Sequence, residues 1–177
     1  MLVIYLTIMQ PNIKAAFLDR DGVLNEFAPG KYVNSPSDFR LLGNVKPAVK
    51  MLNDAGFLCI VITNQQGVGL GYIAKETLDE IHAKMLKEFN DYGARIEAVY
   101  ICPHVDGTCE CRKPKPGMLL RAANDYNIDL SQSIMFGDSS TDIQAAEAAG
   151  CKAVRITNSF PLPSAVATTT YSMLCQT

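Results

Sequence analysis

The segment FLDRDGVLN, residues 17–25, sets Asp19 and Asp21 two positions apart, behind a short apolar run and ahead of a glycine. In extended backbone, alternate side chains share a face, so both carboxylates aim at one point if the strand continues. Such charges repel unless a cation or a shared proton joins them. The spacing describes a Mg²⁺ site with an aspartate ready to attack, or else a polar turn with two solvated acids. Asp138 and Asp142 stand in FGDSSTDIQAAEAAG, the first after another apolar run and the second one helical turn on. Oxygen donors of this kind suit Mg²⁺. Asp138 is also a fitting N-cap for the helix that follows, and the two roles are compatible.

Two further groups lie between these acids. Thr63, at the end of FLCIVIT and before Asn64-Gln65-Gln66-Gly67, can donate a hydroxyl hydrogen bond to an anion. Lys113 can neutralise a phosphoryl oxygen if it faces the same cleft, and the planar fork of Arg112 can hold a second anionic group. Each feature alone reads as an ordinary turn or a solvated charge. Acid pair, hydroxyl, lysine and acid in that order, each after a successive apolar run, form a series that chance does not readily assemble.

A different set of donors precedes the lysine. Cys102, His104, Cys109 and Cys111 fall within ten residues, followed at once by Arg112-Lys113-Pro114-Lys115. The cluster is a catalytic metal site, a disulfide knot, or a clip that shapes a loop. The apolar start, Met1–Met9, lacks a basic region and a small-residue cleavage site, so it reads as an extra edge strand, or as a start codon assigned too early, rather than a signal peptide. A cytoplasmic, reducing setting is therefore expected for the six cysteines, and there such clusters read as metal sites first.

The elements that must position these groups follow from periodicity. Ile13–Leu18, Phe57–Thr63, Ala98–Ile101, Ser133–Phe136 and Lys152–Ile156 are short apolar runs, which implies a parallel sheet covered on both faces. Val45–Asp54, Lys75–Asn90, Pro116–Tyr126 and Ser139–Ala149 carry helical patterns. Leu78, Ile81, Met85 and Phe89 form a core stripe, with His82 beside it at the helix surface or boundary. Alternation of this kind predicts an α/β fold, a doubly wound, mostly parallel, Rossmann-like sheet flanked by helices, whose ligands bind beyond the carboxyl ends of the strands. The aperiodic stretch from Gly22 to Leu42 should overhang that edge. The Thr/Ser/Pro-rich tail from Ser159 has no clear assignment.

The bulk numbers agree. A chain of 177 residues with 48% hydrophobic and 19% charged residues fits one globular domain, with a core over about 13–157. A net charge of −2 argues against a nucleic-acid partner. No apolar run is long enough for a membrane helix.

Taken together, Asp19–Val23, Thr63, Lys113 and Gly137–Asp142 resemble the four motifs of the haloacid dehalogenase (HAD) superfamily of phosphohydrolases. The resemblance runs from Ala15 to about Arg155. It implies that Asp19 is the nucleophile that becomes an aspartyl-phosphate and that Asp21 is the general acid/base. Thr63 and Lys113 would steady the phosphoryl group. Asp19, Asp138 and the backbone carbonyl of Asp21 would hold Mg²⁺, with Asp142 acting through water. DRDGVLN, TNQQG, the Cys/His cluster and CRKPKPGM resemble the histidinol-phosphatase and heptose-bisphosphate-phosphatase branch. That branch implies a minimal cap or none. It also implies a zinc loop over about 102–115, with Cys102, His104, Cys109 and Cys111 as a closed ligand set of the structural kind. Cys59, Cys151 and Cys175 are left as ordinary thiols. Pro116-Gly117-Met118 is most like the heptose side. It implies removal of the 7-phosphate from D-glycero-D-manno-heptose 1,7-bisphosphate, with Arg112, Asn64 and Lys113 on the substrate. The four residues between His104 and Cys109, and Leu70 in the glycine loop, are more like histidinol-phosphatases. The expected protein is a monomer acting on a small phosphorylated compound.

Overall fold

The computed structural model describes residues 13–27 and 32–174. The strand expected over Met1–Met9, and Cys175, lie outside them. Five strands, β1 (Ala15–Leu18), β2 (Leu58–Asn64), β3 (Ala98–Cys102), β4 (Ile134–Gly137) and β5 (Lys152–Arg155), form one parallel sheet in the order β3-β2-β1-β4-β5. Leu18 is in register with both Val61 and Phe136, so the carboxyl ends of the three central strands share one edge. The chain builds outwards from β1 to β3, then returns to β4 on the other side of β1. The crevice at that reversal is where open α/β sheets bind ligands. Asp19 and Asp138 are the residues that leave β1 and β4 there.

Alternation along the strands divides the core. Ala16, Leu18, Cys59, Val61 and Phe136 face α1 (Val45–Asp54), α3 (Lys75–Tyr92) and α6 (Leu162–Leu174). Ala15, Phe17, Ile60, Ile62 and Met135 face α4 (Gly117–Tyr126) and α5 (Ser140–Ala149). Burial of both faces accounts for the near-continuous apolar strands. The remaining helix, α2 (Gln66–Gly69), is a single turn inside the glycine loop. The unassigned tail becomes α6, which buries Leu162, Ala165 and Val166 against the α1 side.

Two expectations need correction. His82 is not a surface or boundary residue: it is buried with Leu78, Ile81, Met85 and Phe89 on the inner face of α3. Its imidazole is kept there by a polar partner described below. Asp138 does not cap α5. Ser139 does, in a capping box with Asp142, which satisfies two backbone N–H groups reciprocally.

No inserted domain stands over the carboxyl edge among the described residues. The segment after β1 covers it instead. Phe39 anchors that segment in the core, and Lys84 of α3 donates to the carbonyls of Pro36 and Phe39 at 2.8 and 3.0 Å.

Candidate active site

Asp19 leaves β1 buried, with its N–H bonded to the Phe136 carbonyl at 3.0 Å. Its Oδ1 accepts from the Arg20 N–H at 2.7 Å and lies 2.9 Å from Lys113 Nζ. Among the described residues no hydrogen bond reaches Oδ2. Lys113 Nζ also pairs with Asp142 Oδ1 at 2.5 Å and donates to the Ile62 carbonyl at 2.9 Å. Asp19, Asp138 and Asp142 bring one carboxylate oxygen each within 4.8 Å of one another. Gly22, at φ 83°, completes the packing, since a Cβ there would collide with Asp138 Oδ2.

The electrostatics of this cluster are unbalanced. Three carboxylates share the neighbourhood of one ammonium group, which contacts Asp19 and Asp142. Burial, opposed by Lys113 and reinforced by Asp142, pushes the Asp19 carboxyl up to about 7. Burial and then Asp142 also raise Asp138. Burial disfavours the charge on Lys113, but Asp19 and Asp142 outweigh it and hold its pKa above the usual lysine value. A divalent cation with oxygen preference would relieve the excess negative charge, so these residues fit Mg²⁺.

Asp21 sits in a different environment. Arg20 Nε and Nη2 both reach its Oδ1, at 3.1 and 2.9 Å, and Nη2 reaches Oδ2 at 2.8 Å. Asn25 Nδ2 donates to Oδ1 at 3.0 Å and Gln65 Nε2 to Oδ2 at 2.9 Å. Gln65 also donates to Thr63 Oγ1 at 2.8 Å, which leaves the Thr63 O–H proton for another acceptor. Arg20, Asn25 and Gln65 were not singled out by sequence reasoning. Their signal was only position: each is a polar residue inside a motif already noted.

Asn64 lines the cleft, and its amide is engaged with backbone. Its Oδ1 accepts from the Lys113 N–H and its Nδ2 donates to the Lys113 carbonyl, both at 3.1 Å. The end of β2 thus grips the residue that carries the cluster's ammonium. The loop before Lys113 is held at its other end too. Gln65 N–H donates to the Cys102 carbonyl at 2.7 Å and Gly69 N–H to that of Pro103 at 3.1 Å. A Cβ on Gly69 would strike that same Pro103 oxygen, so the glycine serves close approach to the loop.

Within the loop, the sulfur atoms of Cys102, Cys109 and Cys111 stand 3.2–3.5 Å apart. His104 Nδ1 lies 3.6 Å from Cys102 Sγ and 3.2 Å from Cys111 Sγ. A disulfide needs ~2.05 Å. A tetrahedron with Zn–S bonds of ~2.3 Å has edges of roughly 3.8 Å, so the separations suit four ligands around one ion. The three thiols share their protons unequally: burial pushes Cys102 up to about 12 and also raises Cys111, while burial of Cys109 is outweighed by hydrogen bonds from Cys111 and the Arg112 backbone, which bring it down to about 6, towards a thiolate. Cys59 and Cys151 lie outside this cluster and are pushed up to about 12 by burial, with no sulfur neighbour among the described residues to lower them.

A cleft of about 400 Å³ opens over the acids, lined by Asp19, Asp21, Thr63, Asn64, Arg112, Lys113 and Asp138. Its outer wall includes Phe27, Tyr32 and Val33, from the segment expected to overhang the edge. Tyr32 packs against Tyr72 with ring centroids 5.6 Å apart. Arg112 makes a long ion pair, at 3.7 Å to the exposed Asp106, and its buried Nη1 has no hydrogen-bond partner among the described residues. Asp19, Asp21, Thr63, Asn64, Arg112, Lys113 and Asp138 thus meet in one cleft, Asp142 is buried behind it against Lys113, and the four Cys/His donors meet in a separate cluster beside it.

Comparison with known proteins agrees with this architecture. The HAD-hydrolase-like family model matches residues 110–170. The chain is 41% identical over 158 residues to the D-glycero-beta-D-manno-heptose-1,7-bisphosphate 7-phosphatase of Rhodopseudomonas palustris, covering 85% of this chain and 87% of that one. It is 40% identical over 132 residues to the D-glycero-alpha-D-manno-heptose-1,7-bisphosphate 7-phosphatase of Campylobacter jejuni, covering 75% of each. The D,D-heptose 1,7-bisphosphate phosphatase of B. bronchiseptica, solved with magnesium and phosphate, superposes with a TM-score of 0.83 at 31% identity, over 90% of this chain and 99% of that one. With its parallel sheet, ordered acids and Cys/His loop, the chain belongs to the heptose-bisphosphate phosphatase family of HAD-like phosphatases.

Proposed function

We propose that the protein removes the 7-phosphate of D-glycero-D-manno-heptose 1,7-bisphosphate in two displacements at Asp19. The observation that carries the reading is the pairing of Asp19, fixed through Oδ1 by Arg20 N–H and Lys113, with the separately held Asp21 two residues on. Asp19 attacks phosphorus in line, and Asp21 donates a proton to the departing sugar oxygen. The leaving alcohol departs with that proton, and the phosphoryl group stays on Asp19. Asp21, now a base, takes a proton from water, which attacks phosphorus and releases phosphate. One group thus serves both halves. Thr63 O–H and Lys113 Nζ hold phosphoryl oxygens, and Asn64 keeps Lys113 in place through its backbone. Arg112, whose buried Nη1 has no hydrogen-bond partner among the described residues, receives the second phosphate.

Asp19, Asp138 and the Asp21 carbonyl would hold Mg²⁺, with Asp142 behind them. When bound, the ion offsets charge on the phosphoryl oxygens and on Asp19. Cys102, His104, Cys109 and Cys111 would hold Zn²⁺ as a closed set, leaving no position for substrate. Its contribution is to stiffen a loop that otherwise lacks secondary structure. Relatives named for either anomer match at nearly equal identity, so the reading concerns the 7-phosphate and not the anomer.

Histidinol phosphate is the second reading, favoured by the four-residue zinc-loop excursion and by Leu70, exposed at 40%, where a cation would otherwise stand. Phosphate release with Mg²⁺, measured on both anomers of the bisphosphate and on histidinol phosphate, tests both. The expected order puts a heptose bisphosphate first by at least tenfold in kcat/KM. Preference for histidinol phosphate overturns the substrate, and no turnover of any phosphomonoester overturns the reaction.

A further inference from the structure

The largest fully buried side chain among the described residues is Arg20, a charged group with 1% exposure. A guanidinium out of water is costly unless its N–H groups are paired. Nε and Nη2 are paired with Asp21, as described. Nη1 points the other way and lies 3.1 Å from Nε2 of His82. Arginine only donates, so Nε2 is the unprotonated nitrogen of a neutral ring and accepts. Burial and then Arg20 hold the His82 pKa down to about 4, which keeps that acceptor available at neutral pH.

The guanidinium is planar and rigid. Fixing Nη1 at α3 therefore fixes the plane in which Nε and Nη2 grip the Asp21 carboxylate. We infer that His82 is a positioning residue for the proton-transfer step, acting through Arg20 to orient Asp21 towards the leaving oxygen. The inference rests on the reading of Asp21 as general acid. His82 touches neither substrate nor the reacting atoms.

A merely structural histidine would affect all substrates alike. A group that aims the general acid would not. Departure of an alkoxide depends on proton donation, whereas departure of p-nitrophenolate does not. The parameter kcat/KM reports events up to formation of the aspartyl-phosphate, so slow hydrolysis of that species does not obscure the difference.

The test measures kcat/KM on heptose bisphosphate and on p-nitrophenyl phosphate for wild type, Asp21→Asn, His82→Leu and His82→Gln. His82→Leu should lower the value on the sugar phosphate about tenfold or more and change that on the aryl phosphate by less than about threefold. His82→Gln, whose amide oxygen can accept from Arg20, should stay within about threefold of wild type on both. An equal fall on both substrates, no fall on either, or a failure of glutamine to rescue overturns the positioning role. If His82→Leu does not fold, Arg20→Lys, which keeps the charge and loses the fork, must give the same split. Asp21→Asn separates the two levels. If it lowers both substrates equally, Asp21 is not the acid, and the parent reading falls with the inference. If Asp21→Asn splits them and His82→Leu does not, the inference alone falls.

Discussion

Two clusters of metal-type donors stand side by side at the same sheet edge, and they differ in kind. The acid cluster gathers Asp19, Asp138 and Asp142 around one lysine, buries negative charge and opens on a cleft. The Cys/His cluster gathers four softer donors at zinc-like separations and faces its own loop. An unbalanced, open set favours an ion that meets substrate; a complete, closed set favours an ion that shapes backbone. Lys113 is the link, since its amine belongs to the acids and its backbone is tied to β2 and to the loop. On the proposed reading, charge does the chemistry in one region, and the other decides where that charge sits.

The sharpest way to break this contrast is Asp19→Asn. Turnover should fall by at least about 10³-fold, with zinc content per chain unchanged. Zinc loss in that variant would mean the clusters are not separable. Cys109→Ser is the reciprocal change. It should abolish stoichiometric zinc, lower Tm by roughly 5–10 °C and reduce kcat/KM about 10-fold to 100-fold through misplaced Lys113. Metal analysis and thermal melts on one preparation check it. Arg112→Ala should have a milder effect, raising KM for the bisphosphate about tenfold while kcat changes little. Steady-state kinetics against a monophosphate lacking the second group test whether that loss is specific.

The smallest effect concerns how far the acid site's support reaches into α3. His82 is neutral in the fold, with a pKa of about 4, against 6.5 for the unperturbed ring. Between those values the unfolded chain binds the extra proton, so this contribution to stability is lost as pH falls from about 6.5 to about 4. Asp19 has the opposite sign, because its raised pKa favours the fold at lower pH. Urea denaturation of wild type and His82→Gln at pH 7 and pH 5 removes the Asp19 term by difference. Wild type should lose more stability than the variant on acidification; equal losses would show that His82 is not held neutral.

Much of this was legible in the primary structure, for physical reasons. Strands buried on both faces announce themselves as apolar runs, and catalytic groups in such sheets must follow them. Asp19, Thr63, Lys113 and Asp138 were therefore readable as a set. His82 was misplaced because helical periodicity cannot report a polar partner arriving from another element. Arg20 supplies that partner and makes burial tolerable. Ser139 displaced Asp138 as the cap because the capping box needs an acid three residues on, which Asp142 provides. Asn25 and Gln65 orient Asp21 across gaps in sequence that spacing alone does not close. Helix α6 was hidden by Thr- and Ser-rich composition, whose low helix propensity is overridden by packing of Leu162, Ala165 and Val166.

The most direct test of the central claim is the covalent state of Asp19. Protein mixed with Mg²⁺ and heptose bisphosphate, quenched rapidly in acid and digested, should yield a peptide bearing Asp19 about 80 Da heavier, and Asp19→Asn should yield none. Absence of the adduct under conditions of steady turnover, or its presence on another residue, would contradict the assignment.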